Sequence, residues 1–218
     1  MLVLGFHQKT DGICFERLHD DSFSVVRRPT GGSAIFHSHE LTYSLIIPGS
    51  EADHHFIYQE FHKILAAALK GMGYEIELHE QQNSSPYLNR GADSFACFNR
   101  PAFTEIKFNG RKLVGSAQKI YPNSLLQHGS ILIGRTQDTI IRYISGKPEI
   151  LEKYEQVLKN SSICLQEIIE KDISPVEISE NIIKQFAVDG QNSIYYQSPV
   201  EMELEIAGKG SLQFDVTK

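Results

Sequence analysis

The chain has 218 residues, of which 41% are hydrophobic and 22% are charged, and its formal net charge is −6. This composition excludes whole-chain disorder and predicts one domain of catalytic size around one sizeable core. The acidic balance argues against a general nucleic-acid binder, which needs a basic face. Because no run of about 18 apolar residues occurs and the start lacks the features of a signal peptide, we expect a cytoplasmic protein without a membrane segment.

The charges are unevenly distributed along the chain. Between Arg90 and Lys119, six basic residues stand against two acidic ones, whereas residues 149–218 carry thirteen acidic and six basic residues. Solvated charged faces would account for part of this pattern. The basic stretch also suits a partner or ligand that carries negative charge, so we expect an acidic partner to dock near it.

The first half of the chain is predicted to be rich in strands. Residues 2–6, 23–28 and 33–48 have strand patterns, the last of them closed by Pro48. Ser50 precedes an amphipathic helix that Gly71 and Gly73 end. Residues 74–80 alternate as a half-buried strand does, and residues 81–94 read as a long loop of the kind that is often functional.

The second half begins with the clearest local signal. Asn109-Gly110 lies between alternating residues and predicts a type I′ hairpin, followed by a strand over 125–134. Ser174-Pro175 starts a helix predicted to reach about Phe186, and the similar signature at Ser198 predicts another, although residues 201–208 also alternate as a strand does. We predict an α+β fold in a single domain over 1–218, with a strand-rich core (1–146) and a helical C-terminal part (147–218).

Two adjacent arginines precede a glycine turn at Arg27-Arg28-Pro29-Thr30-Gly31-Gly32. The spacing fits neither a P-loop nor a dinucleotide-binding turn. Glycines let backbone N–H groups approach a ligand closely, and guanidinium groups bind a carbonyl, carboxylate or phosphate. A basic strand end followed by a tight turn remains the alternative interpretation.

Cysteines and histidines supply the candidate reactive groups. The histidines show no metal-ligand spacing, so no metal site is predicted. The three cysteines form no CxxC pair, which disfavours a disulfide framework. Cys97 has basic residues near it in sequence, and positive charge favours the nucleophilic thiolate. The alternative for Cys97, flanked by Phe and Ala, is a small buried hydrophobe.

Five stretches together resemble a known family: RRPTGG, FHSHELTYS, ACFNRP, GRKLVGSAQ and LLQHGSILI. Their order and spacing are similar to those of the lipoate-protein ligase-like superfamily, and specifically of its LipM-type octanoyltransferases. The resemblance is continuous over residues 4–134 and fainter beyond. It implies a mixed sheet flanked by helices, related to the catalytic domains of biotin ligases and class II aminoacyl-tRNA synthetases.

The resemblance also implies roles for individual residues. Cys97 matches the family cysteine that carries the acyl group as a thioester, and Lys112 matches the lysine that lowers the pKa of that cysteine. The implied substrate-binding residues are Arg27, Arg28, Thr30, Gly31, Gly32, His37, Gly115, Ser116, Ala117, His128 and Gly129. The arginines and glycines are then expected to form one wall of an acyl tunnel.

The implied reaction moves octanoyl from acyl carrier protein to a lysine of a lipoyl domain, such as that of the glycine cleavage H protein or a 2-oxoacid dehydrogenase E2 subunit. Backbone N–H groups of the glycine turn and Lys112 would stabilise the oxyanion. No cofactor is expected. Members of the family usually carry a further helix and strand before the point at which this chain starts, which leaves three interpretations open: an incomplete tunnel wall, a truncated chain or a degenerate paralogue.

Two other functions fit the same motifs. An ATP-dependent lipoate-protein ligase would use the arginines and Lys112 to bind an acyl-adenylate, with ATP and Mg as cofactors, and would need no cysteine. A non-catalytic module that binds lipoate or lipoyl domains would not need a reactive Cys97 at all. Faster labelling of Cys97 than of Cys14 and Cys164 would favour an enzyme over a binding module.

Overall fold

The computed structural model describes residues 1–49, 53–80, 104–190 and 194–211, together with 214 and 216. The strands are β1 (Leu2–Leu4), β2 (Val25–Arg27), β3 (Ile35–Phe36), β4 (Glu40–Pro48), β5 (Glu77–Glu80), β6 (Thr104–Phe108), β7 (Arg111–Lys112), β8 (Val114–Tyr121) and β9 (Ser124–Leu132). The helices are α1 (Phe15–Asp20), α2 (His54–Gly71), α3 (Pro148–Ser161), α4 (Leu165–Ile168), α5 (Pro175–Gly190) and α6 (Glu201–Ser211), and a 3₁₀ helix spans Gln137–Tyr143.

The first sheet has the order β2-β1-β3, with β1 parallel to β2 and antiparallel to β3. All three residues of β1 are buried because both faces of the strand are covered. Leu2 and Leu4 pack into a cluster with the 3₁₀ helix, whereas Val3 points the other way and packs with Ile35 and Leu132. The two-residue period of the strand therefore sends Val3 toward the second sheet.

The second sheet is antiparallel, with the order β4-β9-β8. Its central strand pairs with β4 over nine residues and with β8 over eight, so the distant β4 lies beside the hairpin of β8 and β9. At the middle of this sheet Tyr43 lies opposite Gly129, which in turn lies opposite Ser116. The motifs around residues 40–44, 115–118 and 127–130 are thus brought together by strand pairing.

The third sheet has the order β5-β6-β7, and β6 and β7 form the predicted hairpin. Asn109 and Gly110 both have positive φ angles, of 49° and 74°, as a type I′ turn requires. Leu113 separates β7 from β8, so the chain passes directly from this sheet into the second one. As a result Lys112 lies close in the chain to the Gly115–Ala117 segment of β8.

Helix α2 packs against the second and third sheets through Leu65, Leu69 and their neighbours, which form the larger core cluster with residues of α5. Asp53 caps α2 by accepting hydrogen bonds from the N–H groups of His55 and Phe56. The predicted helix over this segment is confirmed, while Ser50, the expected start signal, lies outside the described residues.

Most of the expected elements are confirmed, and the fold is α+β as predicted. The Ser174-Pro175 signature starts α5, and Ser174 Oγ accepts from the N–H of Val176, but the helix continues four residues beyond Phe186. Residues 201–211 form a helix, so their strand-like alternation does not determine their structure. The segment 81–94, predicted to be a loop, lies outside the described residues.

The described residues contain no helix that is both long and apolar enough to cross a membrane. Within the same ranges, no three His, Cys, Asp or Glu side chains are grouped so that they could hold a metal ion.

Candidate active site

A cavity of about 240 Å³ lies between the first and second sheets. Its apolar wall comes from β1, β3 and the segment after β2, and its polar wall from β4, β8 and β9. Seven of the predicted substrate-binding residues line it, so the structure brings them together. The lining residues are Val3, Arg28, Pro29, Ile35, His37, Thr42, Gly115, Ser116, Ala117, His128, Gly129 and Ser130.

The Arg28 guanidinium is fixed by the turn that follows it. Its Nη2 donates to the carbonyl oxygens of Gly31 and Ser33, both at 2.8 Å, and its Nε donates to Thr30 Oγ1 at 3.1 Å. The turn thus presents carbonyl oxygens to Arg28, whereas the sequence predicted N–H groups that face a ligand. Arg28 organises the turn and lines the cavity at the same time.

Thr30 connects Arg28 to His128. Thr30 is 1% exposed, and its Oγ1 lies 2.6 Å from His128 Nε2. The Thr30 hydroxyl, which accepts from Arg28 Nε, thus joins the guanidinium to the imidazole. Burial lowers the pKa of His128 to about 4, and the nearby charge of Arg28 acts in the same direction, so this imidazole is neutral at pH 7.

Four predicted binding residues lie outside the cavity lining: Thr30, described above, and Arg27, Gly31 and Gly32. The Arg27 Nη1 donates to the carbonyl oxygens of Gly5, Phe6 and Gln8, at 2.8, 3.1 and 2.6 Å, which ties β2 to the segment after β1. Gly31 and Gly32 are exposed. Gly32 has a φ of 95°, and a Cβ on Gly5 would overlap its carbonyl oxygen. The glycine pair therefore serves the turn and its close approach to β1.

Ser116 borders the cavity through its backbone. The strand register places the Ser116 side chain beside Tyr43 on the other face of the sheet, which faces α2. There Ser116 Oγ lies 2.6 Å from the Tyr43 hydroxyl and 3.0 Å from His62 Nε2. A Cβ on Gly129 would lie only 2.8 and 2.9 Å from these two oxygens, so the glycine leaves room for the pair.

His62 is 1% exposed, and its Nδ1–H donates to the Tyr58 carbonyl oxygen at 2.7 Å. Its Nε2 is therefore the acceptor for the Ser116 hydroxyl. Burial lowers the pKa of His62 to about 4, with the charge of Lys112 acting in the same direction, and burial raises the pKa of Tyr43 to about 12. This neutral relay joins α2 to β8 and β4 directly behind the cavity wall.

Lys112 forms a buried ion pair. It is 5% exposed, and its Nζ lies 3.0 Å from Glu105 Oε1, while Lys107 Nζ lies 2.6 Å from Glu105 Oε2. Burial alone would raise the pKa of Glu105, but the two ammonium groups hold it below its usual value.

Over residues 104–119, acidic and aromatic side chains lie against the basic residues. Lys107 and Lys112 share Glu105, and Arg111 Nη1 lies 3.5 Å from Glu167 of α4. Lys119 lies over the Phe6 ring, 4.6 Å from its centroid. Since Arg90 and Arg100 lie outside the described residues, the acidic partner expected to dock near the basic stretch stays a prediction.

Cys97, the predicted nucleophile, lies outside the described residues. The other two cysteines can be compared with that prediction. Cys164 is buried and its Sγ donates to Glu167, and burial raises its pKa to about 11, so it is an unreactive thiol at neutral pH. Cys14 is free and partly exposed at the start of α1.

Three polar residues of this region were not singled out by the sequence: Glu40, His62 and Glu105. His37 lines the cavity, and its imidazole Nδ1 donates to the Glu40 carboxylate. Glu105 could have been found from the hairpin, because a turn at Asn109-Gly110 makes Lys112 the diagonal neighbour of Glu105. No local signal distinguishes Glu40 and His62, which also contact Ser130 and Ser116 on strands far away in the sequence.

The chain was compared with known proteins. The family model of the lipoyl protein ligase A/B catalytic domain matches residues 1–187. The octanoyltransferase LipM of Carboxydothermus hydrogenoformans is 31% identical over 195 residues, which cover 85% of this chain and 69% of that protein. The LipM of Bacillus subtilis is 29% identical over 183 residues, which cover 79% and 65%. The chain spans about two thirds of the length of these relatives.

A solved structure shares the fold. It is that of an archaeal bi-partite lipoate protein ligase from Thermoplasma acidophilum, which superimposes with a TM-score of 0.76 and covers 95% of this chain and 74% of that one. Since the identity is 15%, this likeness concerns the fold alone.

Proposed function

This chain belongs to the lipoyl protein ligase A/B catalytic domain family and, within it, to the LipM octanoyltransferases, and we propose that it transfers octanoyl from acyl carrier protein to a lipoyl-domain lysine. The acyl group is carried between the two proteins as a thioester on Cys97. The acceptor is a lipoyl domain such as that of the glycine cleavage H protein or a 2-oxoacid dehydrogenase E2 subunit.

The observation that carries this proposal is the cavity between the two sheets. Its volume of about 240 Å³ lies below the range of pockets for drug-sized ligands, and Val3, Pro29 and Ile35 make one wall apolar. A slender acyl chain suits such a space. Arg28, His37 and His128 supply polar atoms at the same cavity, where the thioester carbonyl would need them.

The chemistry proceeds in two displacements at the acyl carbon. The Cys97 thiolate attacks the thioester of the carrier protein, a new C–S bond forms, and the carrier thiol leaves. The ε-amine of the acceptor lysine then attacks the enzyme thioester, an amide forms, and the Cys97 sulfur leaves. The first step exchanges one thioester for another, and the second yields the more stable amide, so no ATP is required.

Lys112 supports the thiolate by its charge. Its ammonium is held by the buried Glu105 carboxylate, which fixes a positive charge close in the chain to Gly115–Ala117 of the cavity wall. A cation favours a thiolate over a thiol. Replacing Lys112 with Ala should therefore move the onset of Cys97 alkylation to higher pH, and an unchanged profile would remove Lys112 from this role.

The proposal is tested by intact-mass spectrometry after incubation with octanoyl-acyl carrier protein. We expect one octanoyl adduct that hydroxylamine removes, that ATP does not stimulate, and that Cys97→Ser abolishes. Cys14→Ser serves as the matched control and should keep the adduct. Lipoyl-domain modification that needs Mg-ATP and survives Cys97→Ser would instead assign the chain as a ligase. Lipoyl-domain binding without any modification would indicate a binding module.

A further inference from the structure

His37 and Glu40 form an imidazole–carboxylate pair at the cavity. His37 follows β3 and lines the cavity, while Glu40 begins β4 with its side chain 3% exposed. The Glu40 carboxylate is also approached by the hydroxyls of Ser130 and Thr42, at 2.9 and 3.0 Å, and by the Gln137 amide at 3.5 Å. Four groups that can donate thus surround a side chain that acts as a pure acceptor when ionised.

This arrangement determines which ring nitrogen of His37 carries a proton. Nδ1 faces the Glu40 carboxylate, which can only accept, so Nδ1 bears the hydrogen. The other ring nitrogen, Nε2, has no hydrogen-bond partner among the described residues, and the His37 side chain keeps 20% of its surface exposed. Nε2 is therefore the atom that His37 offers to a ligand in the cavity.

Among the described residues, the other candidate proton acceptors near the cavity already have partners. His128 Nε2 lies 2.6 Å from Thr30 Oγ1, and the Nε2 of His62 accepts from Ser116 on the far side of the sheet. Both imidazoles have a pKa of about 4, mainly because of burial, and are weak bases. Lys112 Nζ lies 3.0 Å from the Glu105 carboxylate. Within the described part of the chain, His37 is the histidine that combines a cavity position with a carboxylate partner on Nδ1.

We propose that His37 is the general base for the second displacement and that Glu40 is the residue that positions it. This inference rests on the proposed octanoyl transfer. The acceptor lysine attacks as a neutral amine, and its nitrogen must lose one proton as the C–N bond forms. His37 Nε2 takes that proton, Glu40 stabilises the resulting imidazolium, and the C–S bond to Cys97 breaks. The imidazolium then returns the proton to the departing sulfur.

The pH dependence follows from the groups that face His37. Among the described residues these are Glu40 from β4, His128 from β9, Arg28 after β2 and the Met1 amino group, which donates to the His37 carbonyl at 3.1 Å. Because the acceptor lysine must also be deprotonated, the rate of amide formation rises with pH in any case. The ratio of the wild-type rate to the His37→Ala rate cancels that contribution and should rise with pH and then level off, since a base works only when deprotonated. A His37 that acted as an imidazolium donor to the oxyanion would give a ratio that falls as pH rises.

The test separates the two displacements. The enzyme is first loaded from octanoyl-acyl carrier protein, the adduct is isolated, and its consumption by a lipoyl domain is followed by intact mass. His37→Ala should load normally but lose the second step by about 10²–10⁴-fold, the usual worth of a general base. Its residual rate should keep rising with pH, and added imidazole should restore part of the activity. The matched control is His39→Ala, which removes an exposed histidine two residues away and should leave both steps unchanged.

Glu40→Gln tests the positioning role. An amide can donate to Nδ1 and would then favour the His37 tautomer with its proton on Nε2, which is not a base. We expect normal loading and a slow second step without a change in lipoyl-domain KM. If Glu40→Gln does not fold, His37→Ala still decides the question. The His37 side chain is partly exposed, so its truncation should leave the fold intact.

The outcomes are distinguishable. A wild-type protein that forms no adduct overturns the proposed function and this inference with it. An adduct that His37→Ala consumes at the wild-type rate overturns this inference alone. Loss of the second step without imidazole rescue and without a changed pH profile also overturns it, since that result shows a structural role.

Discussion

Replacing Glu105 with Gln should destabilise the protein more than replacing Lys112 with Met, although both changes break the same ion pair. The side chains of Glu105 and Lys112 are 3% and 7% exposed, so both charges have lost most of their water. Lys107, 23% exposed, also lies 2.6 Å from Glu105. The carboxylate is thus shared by two ammonium groups, whereas Lys112 faces one carboxylate among the described residues.

The magnitudes follow from what each change leaves behind. Glu105→Gln leaves two positive charges beside a neutral amide, one of them buried, and removing one partner of a buried pair costs up to about 3–5 kcal/mol. Lys112→Met leaves Glu105 paired with Lys107, so we expect a loss smaller by at least about 1 kcal/mol.

Urea denaturation followed by far-UV circular dichroism measures both losses, since the chain has no Trp for fluorescence. The pH dependence provides a second check. The pKa of Glu105 is lowered in the folded state, so its contribution is present above the unfolded carboxyl pKa of about 4.3 and is lost as pH falls through the folded value. Equal losses in the two variants, or a larger loss in Lys112→Met, would refute this account of the shared carboxylate.

Three further predictions concern the cavity wall. Gly129→Ala should lower stability by about 1–3 kcal/mol and reduce octanoyl loading, because its Cβ would overlap a backbone carbonyl. Gly31→Ala is the control, since no atom lies within 4 Å of the new Cβ, and it should change neither stability nor loading. The wild-type protein should lose roughly 3 kcal/mol of stability between about pH 6.5 and 4, because the buried His62 imidazole resists protonation down to a pKa of about 4 while the unfolded chain binds the proton at about 6.5. His62→Gln should remove this loss. An unchanged acid-unfolding curve would contradict this. Thr30→Val should cost about 1–3 kcal/mol by urea denaturation, because it removes the hydroxyl between a guanidinium and an imidazole in a site that is 1% exposed, and a neutral result would show that water replaces it.

Much of the fold could be predicted because it rests on interactions within short segments. The Asn109-Gly110 turn needs two positive φ angles, which few residue pairs adopt, and the hairpin forms where those residues stand. The start of α5 follows from a capping serine and a proline in its first turn. The strand after Pro199 that the alternation suggested does not form, because no neighbouring strand pairs with that segment within the described residues and a helix satisfies its own backbone.

The site was only partly predictable for the same physical reason. The residue types that border the cavity could be identified from their motifs, and seven of them meet there. Which atoms they present depends on partners 54 to 98 residues away. Ser116 turns its hydroxyl toward Tyr43 and His62, away from the cavity, because strand register decides the face of each side chain.

The sequence by itself therefore determined the family, the turn, most of the strands and helices, and the residues that gather at the cavity, since these depend on local pattern and spacing. Only the tertiary structure decided how the charges are used. Arg27 donates to three carbonyl oxygens, Glu105 pairs with Lys107 and Lys112, and Glu40 pairs with His37 at the cavity. Charged groups act through whatever lies within a few ångströms in space, and separation along the chain does not reveal that distance.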